Sequence, residues 1–325
     1  RGGLVVSEMC IRDRGTRCEN ETIEHWVEYY RSLGVTFVPL PSETVVAGVP
    51  RWQGRFYSVY RWLKARPAFD VIHASEWRGT AYYALLAKRQ GIAFNDTIFL
   101  MKASSPHIWN RHYQLLFLTS TNMLGCMYPE QASIEMADVV IGGSAHLLRF
   151  MQHVGYELPE RSFVQPNVVT LDVKAHDAGE RAIGKRIHTK KLTFFGRLEA
   201  RKGLEIFCVA IDYLVARGVE IEEITFLGKE AGNLPAHPDK PNKVYVNERA
   251  ANWPFPIEMH DDFDQDKALE HLLSEKRIAI MPSLIENSTM AVYEALVYNI
   301  PFVASSSGGT PELIVPEHHD DVLVD

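Results

Sequence analysis

The sequence predicts an α/β protein built on two parallel sheets covered by helices. Three observations carry this. The chain has 325 residues, which at roughly 150 per domain is two domains. Short apolar runs alternate with amphipathic stretches from Glu21 onward. The alternation stops once, over Leu171–Lys190, and then restarts. Repeated strand–helix units at this spacing make parallel sheets with helices on both faces. Ligands of such sheets sit beyond the carboxyl ends of the strands.

In the first half, Glu21–Leu33 reads as an amphipathic helix stopped by Gly34, and Val35–Leu40 as a strand ended by Pro41. Tyr57–Ala65 is helical, Phe69–His73 a strand, Gly79–Gln90 a helix and Thr97–Met101 a strand. Trp109–Met136 reads as one long helical region with a break at Pro129. Within it, Tyr113–Tyr128 is uncharged and reads as a buried or cleft-lining helix. Asp138–Ile141 is a strand, Ser144–Val154 a helix capped by Ser144, and Ser162–Val164 a strand. Leu171–Lys190 is polar, holds two glycines and ends in the basic cluster Lys185, Arg186, Lys190 and Lys191, so it reads as a solvated linker. In the second half, strands are expected at 192–195, 224–227, 244–246, 257–259, 278–281 and 302–304, and at the C-terminal residues 322–325. Helices are expected at 202–216, 266–273, 289–298 and 310–315.

Composition excludes several classes. An apolar fraction of 46% with 23% charged residues is a globular balance, not a disordered one. A formal charge of −7 argues against bulk nucleic-acid binding, which runs on a basic footprint. Cys10, Cys18, Cys126 and Cys208 form no CxxC, so the zinc and thioredoxin spacings are absent, and scattered thiols suit a reducing compartment. No run of about 18 apolar residues predicts a membrane span, and no secretory signal is visible. Met9–Arg14 is what a transposase mosaic-end adapter encodes in frame, so residues 1–14 read as a non-native leader. The chain stops within the last expected strand, so both ends are expected to be truncated.

Two phosphate signatures fail. No Gly-x-Gly triplet occurs, which argues against a dinucleotide-binding Rossmann domain. Gly179–Lys185 matches Gly-x4-Gly-Lys, but Arg186 replaces the required Ser or Thr and no strand precedes it. Asp262-Phe263-Asp264 matches Asp-x-Asp, yet Asp264 is better placed as a helix cap.

Three loops after strands are more informative. Phe194–Gly203 delivers Gly196 and Arg197 to a strand's carboxyl edge, and Lys202 opens the next helix. Two cations and a helix N-terminus then converge where a phosphate would sit. Met281–Leu296 places Glu286 in a loop and Glu294 in the second turn of an apolar helix. Such a carboxylate needs a partner, and acceptor-only carboxylates suit donating sugar hydroxyls. Read structurally instead, the same pair would be a solvated Glu286 and a salt-bridged Glu294. Ser305–Glu312 follows the next strand, and Gly308-Gly309 permit close backbone approach to a ligand or simply make a tight turn.

In order and spacing, these three segments (Gly-Arg-Leu-x3-Lys-Gly, Glu-x7-Glu and Gly-Gly-x-Pro-Glu-Leu) resemble the retaining nucleotide-sugar glycosyltransferases of family 4. More weakly, Phe69–Leu86, Gly143-Ser144 through Gly155 and Pro166-Asn167 resemble that family's N-terminal half. The resemblance implies the GT-B fold, two Rossmann-like domains facing a cleft. Residues 15–170 would form the acceptor-side domain, without its first strand. Residues 171–190 would be the linker, and 191–325 the nucleotide-sugar domain without its final helices. By the same resemblance Arg197 and Lys202 bind the donor diphosphate and Glu286 holds hydroxyls of the transferred sugar. Glu294 accepts from the ribose, Asn287, Ser288 and Thr289 touch phosphate or sugar through their amides, and Gly308 and Gly309 line the site. Glu286, Arg197 and Lys202 are the expected catalytic residues.

The expected activity is transfer of a hexose-type sugar from a nucleoside diphosphate (UDP or GDP) to an acceptor hydroxyl with retention. It needs no metal and no cofactor beyond the donor. Sugar, lipid-linked or polysaccharide acceptors, a cytoplasmic location and peripheral membrane association are expectations from the family, as in polysaccharide biosynthesis. The family's catalytic-region His has no clean match. Lys102–Pro106 occupies that stretch with His107 just beyond; His107 either stands in for that residue or, the favoured reading, is a surface histidine. A non-catalytic nucleotide-sugar-binding subunit, or a GT-B epimerase or phosphorylase, are the alternatives.

Overall fold

The computed structural model describes residues 22–40, 51–114, 116–167, 189–274 and 277–325. The leader at 1–14, Cys10 and Cys18, the Gly179–Lys185 motif and nearly all of the 171–190 linker lie outside the described residues. Two compact units emerge: residues 1–110, 117–142 and 150–164, and residues 111–116, 143–149 and 165–325.

The first unit carries a four-stranded parallel sheet in the order β1 (Val71–Ser75), β2 (Ile98–Ala103), β3 (Val139–Gly142), β4 (Ser162–Val164). Phe99, Met101 and Ala103 alternate along β2 and are fully buried, the period-2 pattern of a strand packed on one face. Around the sheet run α1 (Ile23–Ser32), α2 (Arg51–Lys64), α3 (Tyr82–Arg89) and α5 (Thr121–Glu135); α4 (His107–Tyr113) and α6 (Ala145–His153) are each divided, with residues 111–113 and 145–149 in the second unit. The Ser144 hydroxyl accepts from the Leu147 amide at 3.0 Å, as the cap reading of α6 requires.

Two expectations fail in this half. Val35–Leu40 forms no strand and joins no ladder among the described residues; a short apolar run alone does not decide a strand. The 109–136 region holds two helices, one ending at Tyr113 and the next starting at Thr121, and Pro129 sits buried inside α5. Leu116, Phe117 and Leu118 are exposed, Phe117 at 85%, as are Leu124 and Tyr128. With no buried stripe to hold it, the first helix stops, and extended Ser120 starts the next. The 113–128 segment is therefore not one buried helix, but its part within α5 is cleft-lining as expected: Gly125 and Tyr128 line a cavity with Tyr82 and Tyr83.

The second unit carries a six-stranded parallel sheet in the order β10 (Leu323–Val324), β9 (Phe302–Ser305), β8 (Arg277–Met281), β5 (Lys191–Phe195), β6 (Glu223–Leu227), β7 (Ile257–His260). Its helices are α7 (Leu204–Ala216), α8 (Asn242–Ala250), α9 (Gln265–Ser274), α10 (Met290–Val297) and the short α11 (His319–Val322). Phe194, Phe207, Phe226 and Trp253 head one core, and Leu227, Met281, Val292 and Ala295 the other. Adjacent Phe226 and Leu227 point to opposite cores, so one layer of side chains covers each face of the sheet. The expected strand at 244–246 is instead α8. Tyr245 and Val246 are buried on it, and Asn242 at its start donates to the carbonyls of Leu198 (2.6 Å) and Gly232 (2.5 Å). Three apolar residues cannot separate strand from helix by periodicity. The 310–315 helix resolves into 3-10 turns at Pro311–Leu313 and Pro316–His318. Among the described residues no helix is long and apolar enough to cross a membrane.

The carboxyl ends of β1 and β2 meet over two buried carboxylates. Glu76 Oε1 accepts from the Ser104 and Ser105 amides at 2.7 and 2.8 Å, and Oε2 from the Ser75 hydroxyl at 3.0 Å. Glu130 accepts from the amides of Arg78 (2.7 Å) and His107 (2.8 Å), and its Oε1 lies 2.5 Å from His107 Nδ1. The His107 ring stacks on Trp77 with centroids 4.1 Å apart, so it is not the surface histidine expected. Burial, with Glu130 nearby, pushes the Glu76 carboxyl up to about 7 against the pull of its donors. The folded protein therefore holds this proton more tightly than the unfolded chain, so stability falls as pH rises from about 4.5 to about 7. Glu76→Gln keeps the acceptor and carries no charge. Denaturation across that window should show wild type losing on the order of 3 kcal/mol that the variant keeps. Parallel pH curves for the two proteins would contradict this.

Candidate functional site

The second unit's sheet places three loops at the carboxyl ends of β5, β8 and β9. After β5, Gly196-Arg197-Leu198 leads into a 3-10 turn at Ala200–Lys202. Gly203 follows with φ +76°, and α7 starts at Leu204, so Lys202 ends the turn rather than opening the helix. The left-handed backbone alone favours glycine at 203. A side chain there is also blocked, because its Cβ would stand 1.8 Å from the Pro282 carbonyl oxygen of the β8 loop.

The two loops are knitted further. The Leu284 amide donates to the Arg201 carbonyl at 2.8 Å, and Arg201 Nη1 donates to the Ile285 carbonyl at 3.3 Å. The third loop closes on the second: the Gly309 amide donates to the Glu286 carbonyl at 2.8 Å, and Glu286 and Gly308 pair as an isolated parallel bridge. A Cβ on Gly309 would lie 1.9 Å from the Asn287 carbonyl oxygen. The close approach that these glycines permit is thus to the Glu286–Asn287 backbone.

Five charges alternate through this knot. Arg197 Nη2 lies 3.0 Å and Arg201 Nη2 2.9 Å from Glu199 Oε1. Arg201 Nη1 lies 3.0 Å and Lys202 Nζ 2.6 Å from Glu286 Oε1. Glu199, Arg201 and Glu286 are buried, whereas the Arg197 side chain is half exposed. Three cations face two carboxylates, which leaves one net positive charge for an incoming anion. Burial pushes the Glu286 carboxyl up, but Lys202, Arg201 and the Ser283 hydroxyl outweigh it and hold the group below its ordinary range. Glu286 is therefore an ionised acceptor.

α10 begins beside this cluster. Thr289 is its N-cap in an extended conformation, with its hydroxyl 3.3 Å from that of Thr310. The Ser144 hydroxyl donates to Asn287 Oδ1 at 2.6 Å, and Ser288 Oγ lies 3.2 Å from the Tyr293 hydroxyl. Glu312 accepts from the amides of Ala145 (2.6 Å) and His146 (2.8 Å), at the start of α6. Glu294 points from the second turn of α10 and accepts from Gln265 Nε2 at 2.8 Å. It thus has an amide partner and is not the salt-bridged residue of the structural reading. Burial raises its carboxyl pKa, only partly offset by that hydrogen bond. Asp264 accepts from the Lys267 amide at 3.0 Å, which is the cap role expected of the Asp-x-Asp segment.

The residues singled out from sequence, Arg197, Lys202, Glu286, Asn287, Ser288, Thr289, Gly308 and Gly309, therefore lie in three interlocked loops, with Glu294 one helical turn further on. Sequence reasoning missed Arg201, Glu199, Ser144 and Glu312. Glu199 is two positions from its partners Arg197 and Arg201, but the other pairings are remote: Arg201 and Glu286 are 85 positions apart and Ser144 and Asn287 are 143. Only the need of a buried carboxylate for buried cations pointed toward a residue such as Arg201.

The two arginines should separate in a stability measurement. Arg201→Ala leaves Glu199 and Glu286 buried without their shared cation and should cost about 3–5 kcal/mol. Arg197→Ala removes a half-exposed ion pair and should cost about 1 kcal/mol or less. Chemical denaturation of both variants checks this, and equal losses would contradict the buried-bridge role of Arg201.

Residues 189–325 match the family described as glycosyl transferases group 1. The D-inositol 3-phosphate glycosyltransferase 1 of Catenulispora acidiphila is 25% identical over 318 residues, covering 90% of this chain and 69% of that protein. Among solved structures, sucrose-phosphate synthase from Thermosynechococcus elongatus superposes with a TM-score of 0.59 at 17% identity, over 89% of this chain and 69% of that one. Anabaena HepE, in complex with UDP and glucose, gives a TM-score of 0.58 at 13% identity over 96% and 82%. The two parallel sheets are those of the GT-B fold, and the match to the group 1 glycosyl transferases covers residues 189–325, the second of the two sheets.

Proposed function

We propose that the protein is a retaining, family 4-like glycosyltransferase that moves a sugar from a nucleoside diphosphate to an acceptor hydroxyl. The observation that carries the reading is the alternating cluster of Arg197, Glu199, Arg201, Glu286 and Lys202 at the carboxyl edge of the second sheet. Its net positive charge suits a diphosphate, and its ionised carboxylate suits sugar hydroxyls. The match to group 1 glycosyl transferases covers this segment, and one structural neighbour carries UDP and glucose.

In the proposed step the bond from the sugar's anomeric carbon to the donor phosphate oxygen breaks. A bond to the acceptor oxygen forms on the same face. The acceptor's hydroxyl proton passes to the departing β-phosphate. Lys202 and Arg197 meet the charge growing on that phosphate, a preorganised electrostatic role that calls on no metal. Arg201 holds Glu286 in place for the sugar hydroxyls. Glu294 accepts from the ribose hydroxyls, and the Asn287–Thr289 amides at the start of α10 add donors to the anion.

Calorimetric titration with UDP, GDP, ADP and NADH tests the reading. One nucleoside diphosphate should bind, and Arg197→Ala should weaken it tenfold or more while leaving the fold intact. Binding of NADH alone would overturn the proposal. Glu294→Ala should weaken the bare nucleotide and the nucleotide-sugar alike, whereas Glu286→Gln should weaken the nucleotide-sugar more. Equal losses in both variants would contradict the division of roles.

Glu294 also gives a pH signature. Its raised carboxyl accepts through both oxygens only when ionised, so affinity should fall as pH drops through that raised value, and binding there should release a proton. Heats measured in buffers of different ionisation enthalpy should show the release in wild type and not in Glu294→Gln. The same release in both proteins would remove Glu294 from the ribose.

A further inference from the structure

The second unit's sheet ends on β7, an edge strand whose outer ladder is unpaired among the described residues. Glu258 and His260 lie two apart on it and so share one face. α9 brings His271 beside them, and one donor atom from each of the three residues lies within 4.8 Å of the others. Glu258 Oε2 and His260 Nε2 are already 3.1 Å apart.

The rings are held rather than loose. His260 stacks on Phe263 with centroids 4.2 Å apart and planes 12° apart, and the His260 and His271 rings meet at 5.2 Å. His271 Nε2 lies 3.3 Å from the hydroxyl of fully buried Thr225. The nearby Arg277 guanidinium is paired with Glu223, so its charge is already matched, and Glu258 leaves the trio with a negative charge.

We propose that Glu258, His260 and His271 bind a zinc-class divalent cation that fastens the edge strand β7 to α9. Two imidazole nitrogens and one carboxylate oxygen are a donor set for Zn2+ and its first-row neighbours. Mg2+ and Ca2+ prefer oxygen throughout. A tetrahedral ion with bonds of about 2.0–2.2 Å draws its donor atoms to about 3.3 Å from one another. Glu258 and His260 stand at that spacing, so closure needs a small movement around His271. The partly exposed Glu258 side leaves the fourth position to water. The cation's role is to tie the edge strand β7 to the helix packed on its face, and the proposal does not depend on the sugar-transfer reading.

The test is titration of the metal-stripped full chain with ZnCl2 by calorimetry, and with CoCl2 while following visible d–d absorption. One equivalent of zinc should bind with micromolar or tighter affinity and raise the thermal midpoint, and MgCl2 should do neither. His260→Gln and His271→Gln should abolish the site. Glu258→Gln, at the exposed end of the trio, should weaken it tenfold or more without changing the melting curve in EDTA. Absence of stoichiometric zinc binding, or binding retained within twofold in Glu258→Gln and His260→Gln, would overturn the proposal.

Discussion

The carboxylate of Glu286 is the constraint on which the second unit's loops depend. A buried carboxylate costs several kcal/mol unless cations and donors meet it, and here Lys202 and Arg201 both do. Those cations come from a loop more than 80 positions earlier in the chain, so satisfying one charge fixes the β5 loop against the β8 loop. Gly203 and Gly309 then let backbones approach where any side chain would collide. The result is a rigid edge in which each charged group is held by another, and in which Arg197 alone among the three cations reaches well into solvent.

The first unit solves a similar problem by other means. Glu76 and Glu130 are as deeply buried as Glu286 but are met mainly by backbone amides, a serine hydroxyl and a histidine ring. Neutral donors compensate a buried charge less fully than cations do. The two strategies leave opposite marks: Glu76 is driven up to about 7, whereas Glu286 is held low. Glu286, placed among cations, stays ionised. A group that shapes loops tolerates a proton.

Much of this was legible in the sequence, for identifiable reasons. The strands of the second sheet are apolar runs bounded by polar or proline-containing turns, so 192–195, 224–227, 257–259, 278–281 and 302–304 fall within one or two residues of those observed. Where an apolar run was short or lacked a partner, at 35–40 and 244–246, period alone misled. Pro129 shows that a helix breaker in sequence is only a tendency, because packing around α5 overrides it. The site loops were visible because strand ends and glycines mark them locally. The bridging Arg201, the Ser144–Asn287 hydrogen bond and the capping of α6 by Glu312 were not, because each is a long-range pairing with no local signal.

The most direct measurement of the central claim is a crystal structure of the chain with an intact nucleotide-sugar. The account predicts diphosphate oxygens within hydrogen-bond distance of Lys202 and Arg197. It also predicts Glu286 accepting from the sugar and Glu294 from the ribose. A donor bound elsewhere, with the Lys202–Glu286 pair untouched and distant from it, would contradict it.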